Sequence, residues 1–141
     1  MQLLWLQHAL AIGVVGLLLE NLFTGLKSYI KHRDVHFVTY SHLSVIPVYS
    51  TAGMALECLK VNMHCGWFLT SILYVLVIYS SEFIWAFIYK RFTDRNPWEY
   101  KGSGSILGMI NWHYFPLWFL VSLEFNRISD FLHGFLRFLN G

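Results

Sequence analysis

Four long stretches of this chain contain no aspartate, glutamate, lysine or arginine, and this pattern limits the possible folds more than any other feature. They cover residues 1–19, 35–56, 61–81 and 102–123. A helix needs about 20 apolar residues to cross the roughly 30 Å hydrocarbon core of a bilayer. The stretches therefore predict four transmembrane helices, which we place at residues 3–26, 44–59, 66–89 and 106–125 after allowing for turns.

The overall composition agrees with a membrane protein. Hydrophobic residues make up 56% of the chain and charged residues 13%, whereas soluble domains carry about 25% charged residues. A length of 141 residues predicts a single domain. The net charge of +2, without a dense run of lysine and arginine, argues against a nucleic-acid partner.

The first apolar stretch has no basic residues before it, so we expect a helix of the mature protein and not a cleaved signal peptide.

The connections between the predicted helices differ in basic charge. Three basic residues lie between helices one and two and four lie between helices three and four, whereas the middle connection holds only Lys60. Cytoplasmic loops carry the excess of lysine and arginine, so we predict that the first and third connections are cytoplasmic and both termini non-cytoplasmic. Residues 126–139 have apolar side chains at helical spacing, which predicts an amphipathic helix on the membrane surface or an extension of helix four.

The helices also suggest an internal repeat. Each of them carries one glutamate: Glu20, Glu57, Glu82 and Glu124. Basic connections follow the first and third of these, while the second and fourth have a cation three residues on, at Lys60 and Arg127. We interpret the fold as an all-α membrane protein of two similar hairpins in a parallel repeat. Glu57–Lys60 and Glu124–Arg127 are predicted to be structural ion pairs.

Glu20 and Glu82 lie deeper in the apolar parts of their helices. A charge at the bilayer centre costs about 2.5–3.5 kcal/mol on insertion scales, so such residues usually face the interior of a bundle. The repeat would bring the two carboxyl groups together, where they could share a proton, bind a cation or cap a polar pocket. The alternative is a hydrogen-bonded contact between helices, made with Asn21, Thr24, Ser80 or Ser81.

The most distinctive segment runs from residue 81 to residue 119. It contains Glu82, then Pro97-Trp98-Glu99-Tyr100, then Gly108, and finally Pro116 and Trp118. On these residues the chain resembles the type IV ABC-transporter family of CmpB-like membrane proteins, including the transmembrane protein 229 group. The chain departs from the family pattern at Glu99, where the family has aspartate, and at Leu117, which separates the proline from the tryptophan.

The resemblance implies a helical membrane fold and a transporter-related role. The chain has no Gly-x-x-x-x-Gly-Lys-Ser/Thr run, so an ATPase would have to be another chain. The segment Pro97–Tyr100 suits an anchor at headgroup level or a lid over Glu20 and Glu82 that holds a headgroup or a small polar ligand. The candidate ligand- or ion-binding residues are Glu20, Glu82, Trp85, Trp98, Glu99, Tyr100, Asn111 and His113.

We predict no metal site and no cofactor from the sequence. His32 and His36 fit solvated loop residues, and Cys58 and Cys65 fit either reduced thiols or a disulfide in the outer connection. No nucleophile–base pair has a recognisable spacing, so we favour non-enzymatic functions over an enzyme. The favoured function is a non-catalytic accessory or structural subunit that contacts lipids and other membrane subunits or copies of itself. The alternatives are an oligomeric transporter or channel using Glu20 and Glu82, and an intramembrane lipid-modifying enzyme.

Overall fold

A computed structural model describes residues 2–32, 43–62 and 65–140. The described residues are mostly helical and form four α-helices with one small hairpin. In chain order the elements are α1 (Gln2–His32), α2 (Val45–Asn62), α3 (Trp67–Thr93), β1 (Ser105–Ile106), β2 (Ile110–Asn111), a 3-10 turn (Trp112–Tyr114) and α4 (Phe115–Asn140). The first three helices begin within one residue of the predicted starts and end three to six residues beyond the predicted ends.

Two of the described helices are long and apolar enough to cross a membrane: Leu4–Ile30 and Trp67–Thr93. Both coincide with predicted transmembrane helices. The sequences of α2 and α4 are less uniformly apolar, because α2 carries Glu57 and Lys60, and α4 carries charged residues through its second half. By length and composition, the described structure therefore gives two candidate membrane-spanning helices.

The last predicted helix differs most from the structure. It begins at Phe115 and not at residue 106, and it continues without a break to Asn140. The predicted amphipathic segment 126–139 is therefore the second half of α4. Residues 105–111 form a hairpin instead, in which Ser105 pairs with Asn111 and Ile106 with Ile110.

The hairpin turn explains why this apolar segment is not helical. Leu107 and Gly108 have φ angles of 53° and 75°, and positive φ at both central residues is the signature of the tight turn that joins two antiparallel strands. A helix requires negative φ throughout. Gly108 adopts its conformation without a steric penalty, and the chain reverses before Phe115 begins α4.

Small residues set the contact between α1 and α2. A Cβ atom on Gly16 would lie 2.6 Å from the ring of Tyr49, and one on Gly53 would lie 2.4 Å from the Ile12 side chain. Glycine at such positions lets two helix backbones approach closely. The contact brings the Tyr49 ring against α1 within one turn of Glu20.

The core of the bundle combines aliphatic and aromatic side chains from all four helices. The most buried hydrophobic residues are Val75, Ala86, Val48, Tyr74, Ala52, Leu56 and Met109. At one end of the bundle, the Asn140 side-chain amide donates a 3.1 Å hydrogen bond to the Gln7 side-chain oxygen. The end of α4 therefore lies beside the start of α1, so both chain ends are at the same end of the bundle.

Candidate functional site

Two glutamates from different helices line one small cavity inside the bundle. Glu20 extends from α1 and Glu82 from α3, and the cavity has a volume of about 10 Å³. The described residues that line it, which we call the acid pocket, are Glu20, Val45, Val48, Tyr49, Glu82, Trp98 and Tyr100. A space of this size holds roughly one water molecule. The structure thus brings together the two glutamates that the sequence singled out.

The polar groups of the acid pocket are only partly satisfied. The Tyr49 hydroxyl donates a 3.3 Å hydrogen bond to Oε2 of Glu20. Glu82 is 3% exposed, and its Oε2 atom has no hydrogen-bond partner among the described residues. Leaving a buried carboxyl oxygen without a partner is costly.

The connection between α3 and α4 closes one side of the acid pocket. The Trp98 indole N–H donates a 2.8 Å hydrogen bond to the Met109 carbonyl oxygen, and the Tyr100 amide N–H donates one of 3.0 Å to the Gly108 carbonyl oxygen. The hairpin therefore holds Trp98 and Tyr100 in place over the carboxyl groups. Burial, followed by the charges of the nearby glutamates, raises the pKa of the Tyr100 hydroxyl above its usual value, so this group stays protonated and able to donate.

Trp85 lies beside the acid pocket without lining it. Its indole N–H donates a 2.8 Å hydrogen bond to the Thr51 hydroxyl and so links α3 to α2. It lines a neighbouring apolar cavity of about 60 Å³, which shares Val48 and Trp98 with the acid pocket. Trp85 is therefore next to the acid pocket but not part of its described lining.

Glu99, Asn111 and His113, which the sequence also indicated as candidates, lie outside the pocket lining. Glu99 is exposed, with its carboxylate 3.7 Å from the Lys101 ammonium. Asn111 is buried, and its side-chain oxygen accepts a 2.9 Å hydrogen bond from the backbone N–H of His113. The His113 residue is exposed. These three residues belong to the surface and the hairpin, and Asn111 stabilises the start of the 3-10 turn.

A second polar cluster lies at the other end of the bundle, and its central residue corrects a prediction. Glu57 is 5% exposed and accepts a short hydrogen bond from the Ser129 hydroxyl. The predicted Glu57–Lys60 ion pair is wrong, because α2 presents Glu57 to the bundle interior while Lys60 reaches Asp130 on α4 at 2.5 Å. The Glu124–Arg127 pair is present on the surface, with 3.0 Å between its atoms.

Two histidines complete this cluster. His8 Nε2 lies 3.4 Å from Glu57 Oε1, and His133 Nε2 lies 3.9 Å from Glu57 Oε2. The imidazole rings are stacked with their centres 3.5 Å apart. Sequence reasoning missed the cluster, because His8 and Ser129 lie 49 and 72 residues from Glu57 and no local spacing connects them.

The other predicted cysteine and histidine positions carry no described site. Cys58 and Cys65 are exposed free thiols. His36 falls outside the described residues, as does the side chain of His32.

Comparisons with protein-family models, curated proteins and solved structures found no match. Among the described residues, the buried glutamate and histidine side chains lie in the acid pocket and in the cluster around Glu57.

Proposed function

We propose that this protein binds and releases a proton or a small monovalent cation at the acid pocket, as a subunit of an oligomeric transporter or channel. One observation carries the proposal. Glu20 and Glu82, which come from different helices, line a common cavity of about 10 Å³. Two carboxyl groups that share one buried cavity favour a proton or a small cation between them.

The physical chemistry of burial supports this proposal. An isolated ionised carboxylate is strongly disfavoured in an apolar interior, so it takes up a proton or pairs with a cation. Two neighbouring carboxyl groups favour one positive charge between them, because both cannot ionise without cost. The acid pocket supplies oxygen atoms from two carboxyl groups and from Tyr49 and Tyr100, which are ligands that hard cations prefer.

The size of the acid pocket argues against larger ligands. A volume of about 10 Å³ accepts a water molecule or a dehydrated small cation. A lipid headgroup or a metabolite would not fit without displacing Trp98 and Tyr100. The geometry thus favours a bound ion over the headgroup binding and lipid chemistry that the sequence left open.

The proposed membrane arrangement places α2 and α4 as spans beside α1 and α3. The faces that α2 and α4 turn inward are apolar over most of their lengths, and the four helices would form two hairpins of a parallel repeat. The basic connections would face the cytoplasm. In this arrangement the acid pocket lies toward the cytoplasmic side, and both termini lie on the other side.

An oligomer is proposed because the middle of the bundle is apolar. Glu20 and His8 are 12 positions apart on α1 (20 − 8), which corresponds to about 18 Å at a rise of about 1.5 Å per residue. The cavity between them is lined almost entirely by apolar residues such as Ile12, Leu56 and Ile78. An ion leaving the acid pocket would need either a rearranged bundle or a path shared with a neighbouring subunit.

The test is ion flux in liposomes that contain the purified full-length chain. We expect the double variant Glu20→Gln/Glu82→Gln to abolish proton- or sodium-driven flux while keeping the oligomeric state and helix content of the native protein. The matched control is Glu124→Gln, which alters an exposed glutamate and should leave flux unchanged. Measuring flux with a proton gradient alone and with a sodium gradient alone distinguishes the two ions. Native flux in the folded double variant would contradict the proposal.

The accessory-subunit function is a second candidate because of one surface feature. The exposed face of α1 carries a stripe of large apolar residues spaced by four: Leu6, Leu10, Val14, Leu18, Leu22 and Leu26. Such a stripe can pack against another transmembrane helix as well as against lipid tails. Purification in mild detergent tests this candidate. A defined partner at fixed stoichiometry, combined with no flux by the isolated chain, would favour the accessory role.

A further inference from the structure

We propose that His8, Glu57 and His133 form a site for a divalent transition-metal ion of the Zn²⁺ class, at the end of the bundle opposite the acid pocket. The potential ligand atoms of these three residues all lie within 4.8 Å of one another. They come from α1, α2 and α4, so one ion would tie three helices together. This site shares no residue with the acid pocket and does not depend on the proposed transport function.

The distances are close to those of a tetrahedral zinc centre. Bonds from zinc to histidine nitrogen and carboxylate oxygen are about 2.0–2.2 Å long, which places two ligands of a tetrahedron roughly 3.3–3.6 Å apart. His8 Nε2 is 3.4 Å from Glu57 Oε1, and His133 Nε2 is 3.9 Å from Glu57 Oε2. The first distance fits such a centre, whereas His133 faces the other carboxylate oxygen at a longer distance and has to move toward the ion.

The orientation of the rings defines the movement that binding requires. The two imidazole rings lie nearly parallel, with an angle of 12° between their planes. A nitrogen lone pair lies in the plane of its ring, so the rings must fan apart for both to point at one ion. His8 is fully buried, whereas the His133 side chain is 26% exposed. We therefore expect His133 to make most of this movement.

The charges around Glu57 favour a bound cation. The glutamate is buried with a serine hydroxyl and two histidines as its neighbours. Lys60 on α2 pairs with Asp130 and donates a 3.5 Å hydrogen bond to the Ser129 hydroxyl, so it does not pair with Glu57 directly. A divalent ion between the two Nε2 atoms and the carboxylate would neutralise the buried charge at the centre of the cluster.

The kind of ligand selects the class of metal. Two imidazole nitrogens and one carboxylate oxygen suit zinc and its neighbours in the first transition series, while magnesium and calcium prefer oxygen ligands alone. Three protein ligands leave a fourth tetrahedral position, which a water molecule fills in zinc sites of this composition. The ion would therefore be held firmly and still be open to one further ligand.

The experiment measures Zn²⁺ binding to the full-length protein in detergent, by equilibrium dialysis and metal analysis. Cys58→Ser/Cys65→Ser serves as the background, because the exposed thiols would also bind zinc. We expect one tightly bound equivalent in this background. His133→Gln should weaken its binding by more than about 100-fold, since changes outside the ligand shell already cost 10–100-fold. The control His113→Gln, at an exposed histidine outside the cluster, should bind normally.

Cobalt provides a readout that a purely structural effect would not change. Co²⁺ in a tetrahedral site of nitrogen and oxygen ligands gives a visible absorption band, which we expect in the background protein and in His113→Gln but not in His133→Gln or His8→Gln. Helix content and elution volume verify that each variant is folded. Zinc binding at unchanged affinity in folded His133→Gln would overturn the proposal. The absence of a stoichiometrically bound zinc ion in the background protein would also overturn it.

Discussion

The Tyr49 hydroxyl on α2 donates a 3.3 Å hydrogen bond to Oε2 of Glu20 on α1. This bond depends on how closely the two helices pack. Gly16 precedes Glu20 by about one turn, and a Cβ atom at this glycine would lie 2.6 Å from the Tyr49 ring. A small residue on α1 therefore allows the tyrosine to reach the acid pocket, so helix packing and the geometry of the carboxyl groups are coupled.

The first prediction concerns Gly16. Gly16→Ala should destabilise the protein by about 1–3 kcal/mol, the usual cost of overpacking a close contact, because the new methyl group meets the ring of Tyr49. Reversible unfolding in mixed micelles measures the change. The control is Gly134→Ala, where a Cβ has no neighbour within 4 Å, and the alanine should be neutral or stabilising by up to about 1 kcal/mol. Equal effects of the two substitutions would contradict the proposed packing.

The second prediction tests the hydrogen bond itself. Tyr49→Phe keeps the ring and removes the donor, so stability should fall by about 0.5–1.5 kcal/mol. In a double-mutant cycle with Glu20→Gln, the two changes should be non-additive because they share one interaction. Tyr74→Phe is the control, since the Tyr74 hydroxyl bonds to Asn126 and should be additive with Glu20→Gln. Additivity in both cycles would mean that the Tyr49–Glu20 bond contributes nothing.

Much of the helical fold could be predicted from the sequence, because a charge-free stretch of sufficient length has few alternatives. The segments that became α1 and α3 are examples, and both are long and apolar enough to span a membrane. The inward direction of Glu20 and Glu82 was predicted from their depth in the helices. An acidic side chain in an apolar segment avoids the surrounding hydrocarbon by facing inward, so its direction could be inferred without coordinates.

The errors came from features that hydropathy does not report. The segment before Phe115 is apolar but reverses at Leu107 and Gly108, where φ is positive, and only the glycine signalled a turn. Glu57 and Glu124 look equivalent in sequence, with a cation three residues on. Their difference in burial depends on partners distant in sequence: Glu57 meets Ser129 from 72 residues away, and no local pattern encodes that contact.

The third prediction uses this difference between two similar glutamates. Glu57→Ala should cost about 1–3 kcal/mol, because it leaves the buried Ser129 hydroxyl and its histidine neighbours without their shared acceptor. Glu124→Ala removes an exposed pair with Arg127 and should change stability by less than about 1 kcal/mol. Thermal unfolding of both variants in the same detergent makes the comparison. Similar losses would indicate that Glu57 lies at the surface, as the sequence suggested.

The fourth prediction concerns the hairpin that holds Trp98 and Tyr100 over the acid pocket. Gly108 has φ of 75°, and a Cβ there would lie 3.1 Å from the Asn96 side chain. Alanine at this position should therefore cost roughly 1–2 kcal/mol in backbone strain. The Gly108 carbonyl oxygen accepts the hydrogen bond from the Tyr100 N–H. The strain should therefore weaken the contact that holds Tyr100 over the acid pocket.

A hydrophobic carbodiimide reacts with protonated carboxyl groups, so its rate of labelling reports how often Trp98 and Tyr100 move away from the acid pocket. We expect Gly108→Ala to increase labelling of Glu82 about 5- to 30-fold, as a change of one or two kcal/mol in an equilibrium implies. The control variant should not increase the labelling of Glu82. Leu107→Asn places a residue that tolerates positive φ at the exposed Leu107, where φ is 53°, so it should relieve strain and leave labelling equal or lower. If neither variant alters labelling, Glu82 is reached by a route other than the hairpin, and Trp98 and Tyr100 do not control access to the acid pocket.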